Sequence, residues 1–281
     1  MEHDGMPGEI GNDGERLSTL AGAFSATHHL HRYGIAAALC AGKRVLDLAS
    51  GEGYGTHIIA QSAKEVVGVD VSEDAVSHAS KKYVRDNLRY LLGSAESSPL
   101  ENASVDVVTS FETIEHHLKH REMLGEFKRV LKPDGLLMLS SPDKLYYSDL
   151  PKIKNPFHVK ELYEEELRVL VQDHFRNLDL YGQKMVGGSM VCALAGGRSD
   201  LTIWAGGFDR VGEADGLVGS QYLICLASDG SLPVLGSSFF DGELIAEARR
   251  QGEAVIRDLK NSLSFRIGRA ITAPMRWLRR N

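Results

Sequence analysis

Short apolar runs alternate with amphipathic stretches through the first 140 residues of the chain. Val45 to Leu48, Val66 to Val69, Leu88 to Leu92, Val105 to Thr109 and Leu136 to Leu139 each have the length and apolar character of a buried strand. Between them, Tyr54 to Ser62, Asp74 to Tyr83 and Glu112 to Leu131 carry apolar residues at helical spacing, the last through Met123, Leu124, Phe127, Val130 and Leu131. A helix over Leu17 to Ala41 precedes the first strand, and Lys132-Pro133-Asp134-Gly135 makes a turn before the fifth. Strands alternating with helices predict an α/β, doubly wound, Rossmann-like parallel sheet. Glu161 to Phe175 continues as a helix, and Asn177 to Lys184 and Tyr222 to Ala227 read as late strands, which gives a seven-stranded sheet.

Two segments break the pattern. Nine of the 34 residues from Val186 to Gly219 are glycine, so residues 186–219 read as a Gly-rich insertion before the last strand, with a small hairpin near Leu201 to Trp204. Gly242 to Asn261 reads as an amphipathic helix. The expected division is a flexible tail over 1–14, one domain over 15–240 and a C-terminal helix with a basic amphipathic tail over 241–281.

Composition narrows the class. The 281 residues are 43% hydrophobic, enough for a large core, and their net charge of −6 argues against a nucleic-acid partner, which needs a basic footprint. Cys40, Cys192 and Cys225 are scattered and form no CxxC pair, so neither a disulfide framework nor a cysteine zinc site is expected. Met1 to Leu17 lacks the apolar core of a secretory leader, and no apolar run reaches the roughly 18 residues of a membrane span. The expected location is the cytoplasm. From Arg257 to Asn281, however, seven basic residues face one acid, which leaves about −12 on the rest of the chain. Leu263, Phe265, Ile267, Ile271, Met275, Trp277 and Leu278 interleave with those charges. Such a segment suits peripheral contact with an anionic inner-membrane surface or with a partner protein through 263–281.

The candidate chemistry begins after the first strand. In Val45-Leu46-Asp47-Leu48-Ala49-Ser50-Gly51-Glu52-Gly53-Tyr54-Gly55 an apolar strand gives way to a glycine turn that opens a helix. Gly51 and Gly53 lack Cβ, so the backbone can turn sharply and a ligand can approach it closely. The second strand ends in Asp70, 17 residues after Gly53, where a carboxylate can accept both hydroxyls of a ribose. A dinucleotide would place its pyrophosphate on this turn, and Asp47, four residues before Gly51, would repel it. The same carboxylate favours the cationic amino group of a methionyl moiety.

These residues resemble the class I S-adenosylmethionine-dependent methyltransferases, of the type 11 kind, over Val45 to about Gln183. The resemblance implies S-adenosylmethionine as cofactor, with contacts from Asp47, Ala49, Gly51, Gly53, Asp70, Val71, Ser94, Ala95 and Phe111. Ala49 departs from the usual first glycine, and Ser94 stands where the family commonly has the acid that meets adenine. His28, His29 and His31 belong to an expected lid helix, where Tyr33 reaches the carboxylate end of the cofactor.

After the fourth strand comes Glu112-Thr113-Ile114-Glu115-His116. On a helix, positions i, i+3 and i+4 share a face, which would gather Glu112, Glu115 and His116. This pattern resembles the metal-dependent O-methyltransferases of ubiquinone biosynthesis and the plant small-RNA 2′-O-methyltransferases, which add a histidine after the fifth strand. His158 lies in that region. Two roles are open: Mg²⁺ or another divalent cation on Glu112, Glu115, His116 and His158, or proton transfer by His116 or His158. His117 and His120 read as exposed helix residues.

The wider layout is similar to methyltransferases of bacterial surface-polysaccharide biosynthesis. It includes His-Leu-His-Arg-Tyr near the start, Asn155-Pro156-Phe157-His158-Val159 and a basic Pro-Met-Arg-Trp tail. The resemblance implies a sugar or glycan-linked acceptor. The alternatives are a quinone-like or other small-molecule acceptor and, from another class, a non-catalytic S-adenosylmethionine-binding assembly partner.

Overall fold

A computed structural model describes residues 22–262, apart from 187–188, 195–200, 202, 208–209, 215 and 218. The tails expected over 1–14 and 263–281 lie outside the described residues, as does part of the glycine-rich segment.

The alternation read from the sequence folds as α1 (Ala23–Leu39), β1 (Arg44–Leu48), α2 (Tyr54–Ile59), β2 (Glu65–Asp70), α3 (Glu73–Lys82), β3 (Leu88–Leu92), β4 (Val105–Phe111), α4 (His120–Val130) and β5 (Leu131–Pro142). Then come α5 (Glu164–Gln172), β6 (Asn177–Met185), β7 (Ser189–Ala193), β8 (Ile203–Gly207), β9 (Arg210–Ala214), β10 (Tyr222–Ser228), β11 (Ser238–Phe240) and α6 (Glu243–Asn261). The central sheet runs β11-β7-β6-β10-β5-β4-β1-β2-β3. The first five strands are mutually parallel, and β10 runs antiparallel between β5 and β6. Buried apolar residues pack on both faces of this sheet, as a parallel sheet wrapped by helices requires.

The expected seven strands become nine. β7 and β11 extend the β6 edge, while β8 and β9, among the described residues, pair with each other in a separate two-stranded sheet. β7 lies directly after glycines and β11 is three residues long, so neither carries a readable strand pattern. One side chain of α1 ties both extra strands down: the two ring nitrogens of His31 meet Ser189 Oγ and Ser238 Oγ, each at 3.0 Å. His31 thus belongs to this edge and not to the cavity described below.

A second correction concerns residues 112–131. They do not form one helix. Glu112 sits in the left-handed region at φ 51°, Ile114–His116 makes a single 3-10 turn, His117 is extended, and α4 begins only at His120. The turn is tied to the segment after β5 instead of to α4, because Glu115 O accepts from Val159 N and Lys160 N at 2.9 and 3.0 Å. His120 is buried, not exposed. Lys132 to Gly135 bulges out of the β4–β5 ladder, where Val105 pairs with Leu131 and Val107 with Leu136. Among the described residues no helix is long and apolar enough to cross a membrane.

Candidate active site at the strand ends

The C-terminal ends of β1, β2 and β4 open into a cavity of about 410 Å³, roofed by α1. This is where an open parallel sheet builds its ligand sites. The floor is the glycine turn. Ala49, Gly51 and Gly53 all have positive φ, at 62°, 54° and 92°. At Gly53 a Cβ would come within 2.7 Å of Ala79 Cβ and 2.8 Å of Tyr90 Oη, so α3 and β3 close on this turn only because the side chain is absent. Asp70 fastens the turn from below: Oδ2 accepts from Gly51 N at 2.8 Å and Oδ1 from Ser72 N at 3.0 Å.

Of the predicted cofactor residues, Tyr33, Ala49, Gly51, Asp70, Val71 and Phe111 line the cavity. Asp47, Gly53, Ser94 and Ala95 do not. Ala95 is part of the apolar core, and Ser94 bridges to Ser97 in a tight turn. Asp47 lies beneath the floor, where it accepts from Thr56 Oγ1 and Thr109 Oγ1, each at 2.7 Å, and from Tyr33 Oη at 3.5 Å. Burial pushes its pKa up to about 6, against the opposing pull of those hydroxyls. His29 also lines the cavity, with its Nδ1 at 2.8 Å from Tyr54 Oη.

The opposite wall carries the second cluster. Donor atoms of Glu115, His116 and His158 lie within 4.8 Å of one another. Glu112, the expected fourth member, is turned away. Its Oε1 accepts from Ser140 Oγ at 2.7 Å and meets Arg32 Nη1 at 2.8 Å. The left-handed backbone at Glu112 breaks the helical register that would have gathered it.

Glu115 is 1% exposed, and neither carboxylate oxygen has a partner among the described residues. Burial, and then the neighbouring Glu112, hold its pKa well above the usual carboxylate range. His116 Nδ1 lies 2.9 Å from Phe157 O, so it carries the proton and Nε2 carries the lone pair. His158 Nδ1 donates to Glu161 Oε1 at 2.6 Å, while its Nε2 accepts from Asn155 Nδ2 at 2.9 Å. Tyr147 stacks on His158 with ring centroids 5.3 Å apart.

Glu115, with its unmatched carboxyl oxygens, and His116 could hold a divalent cation, and His158 could join them only by giving up the Asn155 amide at its Nε2. Two nitrogens and one oxygen suit Mn²⁺, Fe²⁺ or Zn²⁺ better than Mg²⁺, which selects oxygen.

Sequence reasoning assigned no site role to Arg32, Tyr147, Asn155 or Tyr222. Arg32 is 1% exposed, donates to Gln183 Oε1 and Ser140 Oγ at 2.7 and 2.8 Å, and lies over the Tyr222 ring at 4.8 Å. An arginine in an otherwise amphipathic helix reads as solvent-facing, so only its place in His-Leu-His-Arg-Tyr drew attention to it.

Residues 46–139 match the family model for a methyltransferase domain, Methyltransf_11. The chain is 36% identical over 174 residues to a Mycolicibacterium smegmatis protein described as a probable S-adenosylmethionine-dependent methyltransferase, a match spanning 59% of this chain and 65% of that protein. It is 33% identical over 123 residues to the mitochondrial ubiquinone biosynthesis O-methyltransferase of Schizosaccharomyces pombe, over 42% of this chain and 44% of that one. The chain thus spans from under half to about two thirds of the length of these relatives. A crystal structure of an S-adenosylmethionine-dependent methyltransferase from Archaeoglobus fulgidus shares the fold, with TM-score 0.52 and 20% identity over 74% of this chain and 95% of that one. The glycine turn and strand-end acid fall inside residues 46–139, the stretch that is similar to a methyltransferase domain, and the mixed sheet is the fold shared with the Archaeoglobus protein.

Proposed function

We propose that the protein is an S-adenosylmethionine-dependent O-methyltransferase whose acceptor is a hydroxyl of a sugar or glycan-linked group. The observation that carries this reading is a single cavity bounded on one side by Gly51 and Asp70 and on the other by Glu115, His116 and His158.

Bound S-adenosylmethionine supplies a methyl group on a sulfonium, open to in-line attack by a nucleophile. Ala49, Gly51 and Asp70 hold the cofactor against the floor, and α1 excludes water from above. Positioning of this kind supplies much of the acceleration in a displacement at carbon. A hydroxyl must also lose its proton as the C–O bond forms. His116 Nε2 carries the lone pair that takes it, because Nδ1 is committed to Phe157 O. His158 Nε2 already accepts from Asn155, so His158 works as a positioning group unless that amide moves. Burial and the neighbouring Glu112 raise the Glu115 pKa, and a positive charge beside it would favour its ionised form. A divalent cation on Glu115, His116 and His158 would polarise the acceptor hydroxyl and do the same work by another route.

Vicinal hydroxyls of a sugar suit either arrangement. A glycan assembled at the inner membrane gives the basic residues 263–281 a role at an anionic surface, and the segment suits a partner protein equally. The fission-yeast relative's name favours a second reading, a quinol acceptor, since phenolic oxygens meet the same cluster.

The test is an incubation of the full chain with S-adenosylmethionine and two acceptor panels, sugars with their nucleotide- or phosphate-linked forms, and hydroquinols, read by mass spectrometry for the gain of one methyl. Methylated sugar supports the reading, and methylated quinol replaces it with the second. Cofactor binding without product from a complete panel points to the assembly-partner reading, and EDTA during turnover separates cation from histidine.

A further inference from the structure

The segment between β5 and α5, residues 143–163, has two sides. Asn155 and His158 line the active-site cavity. Leu150, Ile153 and Val159 are each more than half exposed, and Phe157 is exposed as well. We propose that this outer side is a docking surface for an anionic lipid bilayer, which sets the active-site cavity beside the headgroups. The surface itself stands apart from the methyltransferase reading above; only the corollary, that the acceptor is drawn from the bilayer, rests on it.

The first support is the local sequence. Leu150-Pro151-Lys152-Ile153-Lys154-Asn155-Pro156-Phe157-His158-Val159-Lys160 holds three lysines and no acid, a reversal of sign in a protein with a net charge of −6. Four large apolar side chains alternate with those lysines. In water their exposure gains nothing. At a bilayer interface they leave water, while each lysine lays its apolar stem beside them and keeps its ammonium among the phosphates.

The second is the state of those cations. Lys152, Lys154 and Lys160 are exposed, and none of them makes an ion pair among the described residues. Carboxylates of the same segment are engaged elsewhere: Asp149 pairs with Lys144, and Glu161 meets His158 and Ser148. Glu122, Glu165 and Glu166 share a groove with Lys160 on the side of α4 and α5. The uncompensated charge therefore lies at Lys152 and Lys154, on either side of Ile153.

The third is that the tip has its shape before it meets a partner. Ile153 N donates to Ser148 O and Phe157 N to Asn155 Oδ1, each at 3.1 Å. Pro151 and Pro156 fix two further φ angles. Docking thus costs little conformational freedom. The same backbone holds the active-site wall, since Phe157 O meets His116 Nδ1 at 2.9 Å and Glu115 O accepts from Val159 N and Lys160 N. Surface and site move as one unit.

The pattern also selects the occupant. The centre of a protein–protein interface is depleted in charge, and in lysine above all. Here lysines flank the apolar tip at Ile153, which suits the layered polarity of a bilayer surface.

Fluorescence on the full chain tests this. Cys40, Cys192 and Cys225 are buried, so an environment-sensitive dye can be attached at one introduced thiol. Ile153→Cys places it in the tip; Val84→Cys places it between α3 and β3, at the opposite ends of the strands, where Val84 is exposed. With vesicles of equimolar phosphatidylglycerol and phosphatidylcholine, emission from position 153 is expected to shift to the blue and emission from position 84 to stay unchanged. Vesicles of phosphatidylcholine alone should move neither. Lys152→Gln with Lys154→Gln should weaken vesicle affinity read at position 153 by about 25-fold, about fivefold for each lysine, and leave binding of S-adenosylhomocysteine unchanged. An unmoved label at 153 on vesicles that capture the protein assigns the contact to another surface, residues 263–281 included, and overturns the proposal. So do an equal response to phosphatidylcholine alone, an unchanged affinity in the double lysine variant, and no vesicle binding by the parent. The methyltransferase reading fails separately: a parent that docks through position 153 but binds no S-adenosylhomocysteine in titration calorimetry keeps the surface and loses the corollary.

Discussion

Arg32 and Glu112, 80 positions apart in sequence, form an ion pair at 2.8 Å in which the arginine is 1% exposed. The pair joins α1, the roof of the cavity, to the end of β4, its inner wall. Ser140 and Gln183 hold the same guanidinium, so α1 is fastened to β5 and β6 as well. A buried charge that loses its partner is costly, typically about 3–5 kcal/mol.

Arg32→Met should therefore destabilise the fold in urea denaturation by up to about that amount, because the half-buried Glu112 loses its ion pair and keeps only the hydrogen bond from Ser140. Arg32→Met with Glu112→Gln removes both charges and should recover at least half of the loss. Equal destabilisation by the single and double variants would show that the cost comes from packing and not from the carboxylate that lost its ion pair.

Ala49 occupies a left-handed backbone position that L-residues adopt at a cost of about 1–2 kcal/mol. Ala49→Gly relieves that strain and gives back part of it as extra freedom in the unfolded chain. The expected net gain is up to about 1 kcal/mol, seen as a rise in Tm. Gly53→Ala should do the opposite, since its Cβ would meet Ala79 and Tyr90. A lower Tm for Ala49→Gly would contradict the strain argument.

The pH dependence of cofactor binding follows from Asp47. Its folded pKa, about 6, lies above the value near 3.8 of a solvated carboxyl, so burial disfavours the ionised form. The fold is accordingly favoured by this group below pH 4 and loses that contribution as pH rises through 6. A cationic ligand above the floor favours the ionised form, so affinity for S-adenosylmethionine should rise with pH through 6, by at most about tenfold per unit for one proton. Asp47→Asn should flatten the profile. A parent profile already flat between pH 5 and 7 would remove Asp47 from the electrostatics of the site.

The tail over 263–281, opposite in charge to the rest of the chain, should draw the protein to anionic vesicles, each basic residue near the surface adding about 1 kcal/mol. At 1 M salt, where screening shortens to about 3 Å, that attraction should vanish. Equal sedimentation of full-length and truncated protein under all conditions would leave partner docking, which gel filtration of the same pair then examines.

The parallel half of the sheet was legible because buried strands and amphipathic helices leave different periods, and because Gly51 and Asp70 have a fixed spacing set by one βαβ unit. Asp47 was legible as an acid but not as a buried hub, since the hydroxyls that hold it come from Thr56 and Thr109, nine and 62 residues away. The grouping of Glu112 with Glu115 and His116 assumed helical geometry, and a left-handed residue at Glu112 broke it. His158 joins the cluster across a loop. Its neighbour Asn155 and its stacking partner Tyr147 leave no pattern in sequence, because their roles arise only when the segment after β5 folds back over β4.

Asp70 and the turn it fastens are the centre of the cofactor site proposed for this protein. Titration calorimetry of the full chain with S-adenosylmethionine should show one site, weakened more than tenfold by Asp70→Ala and partly restored in Asp70→Asn, as expected for charged hydrogen bonds worth about 1.5–3 kcal/mol. Undiminished affinity in a folded Asp70→Ala protein, or no binding by the parent, would contradict it.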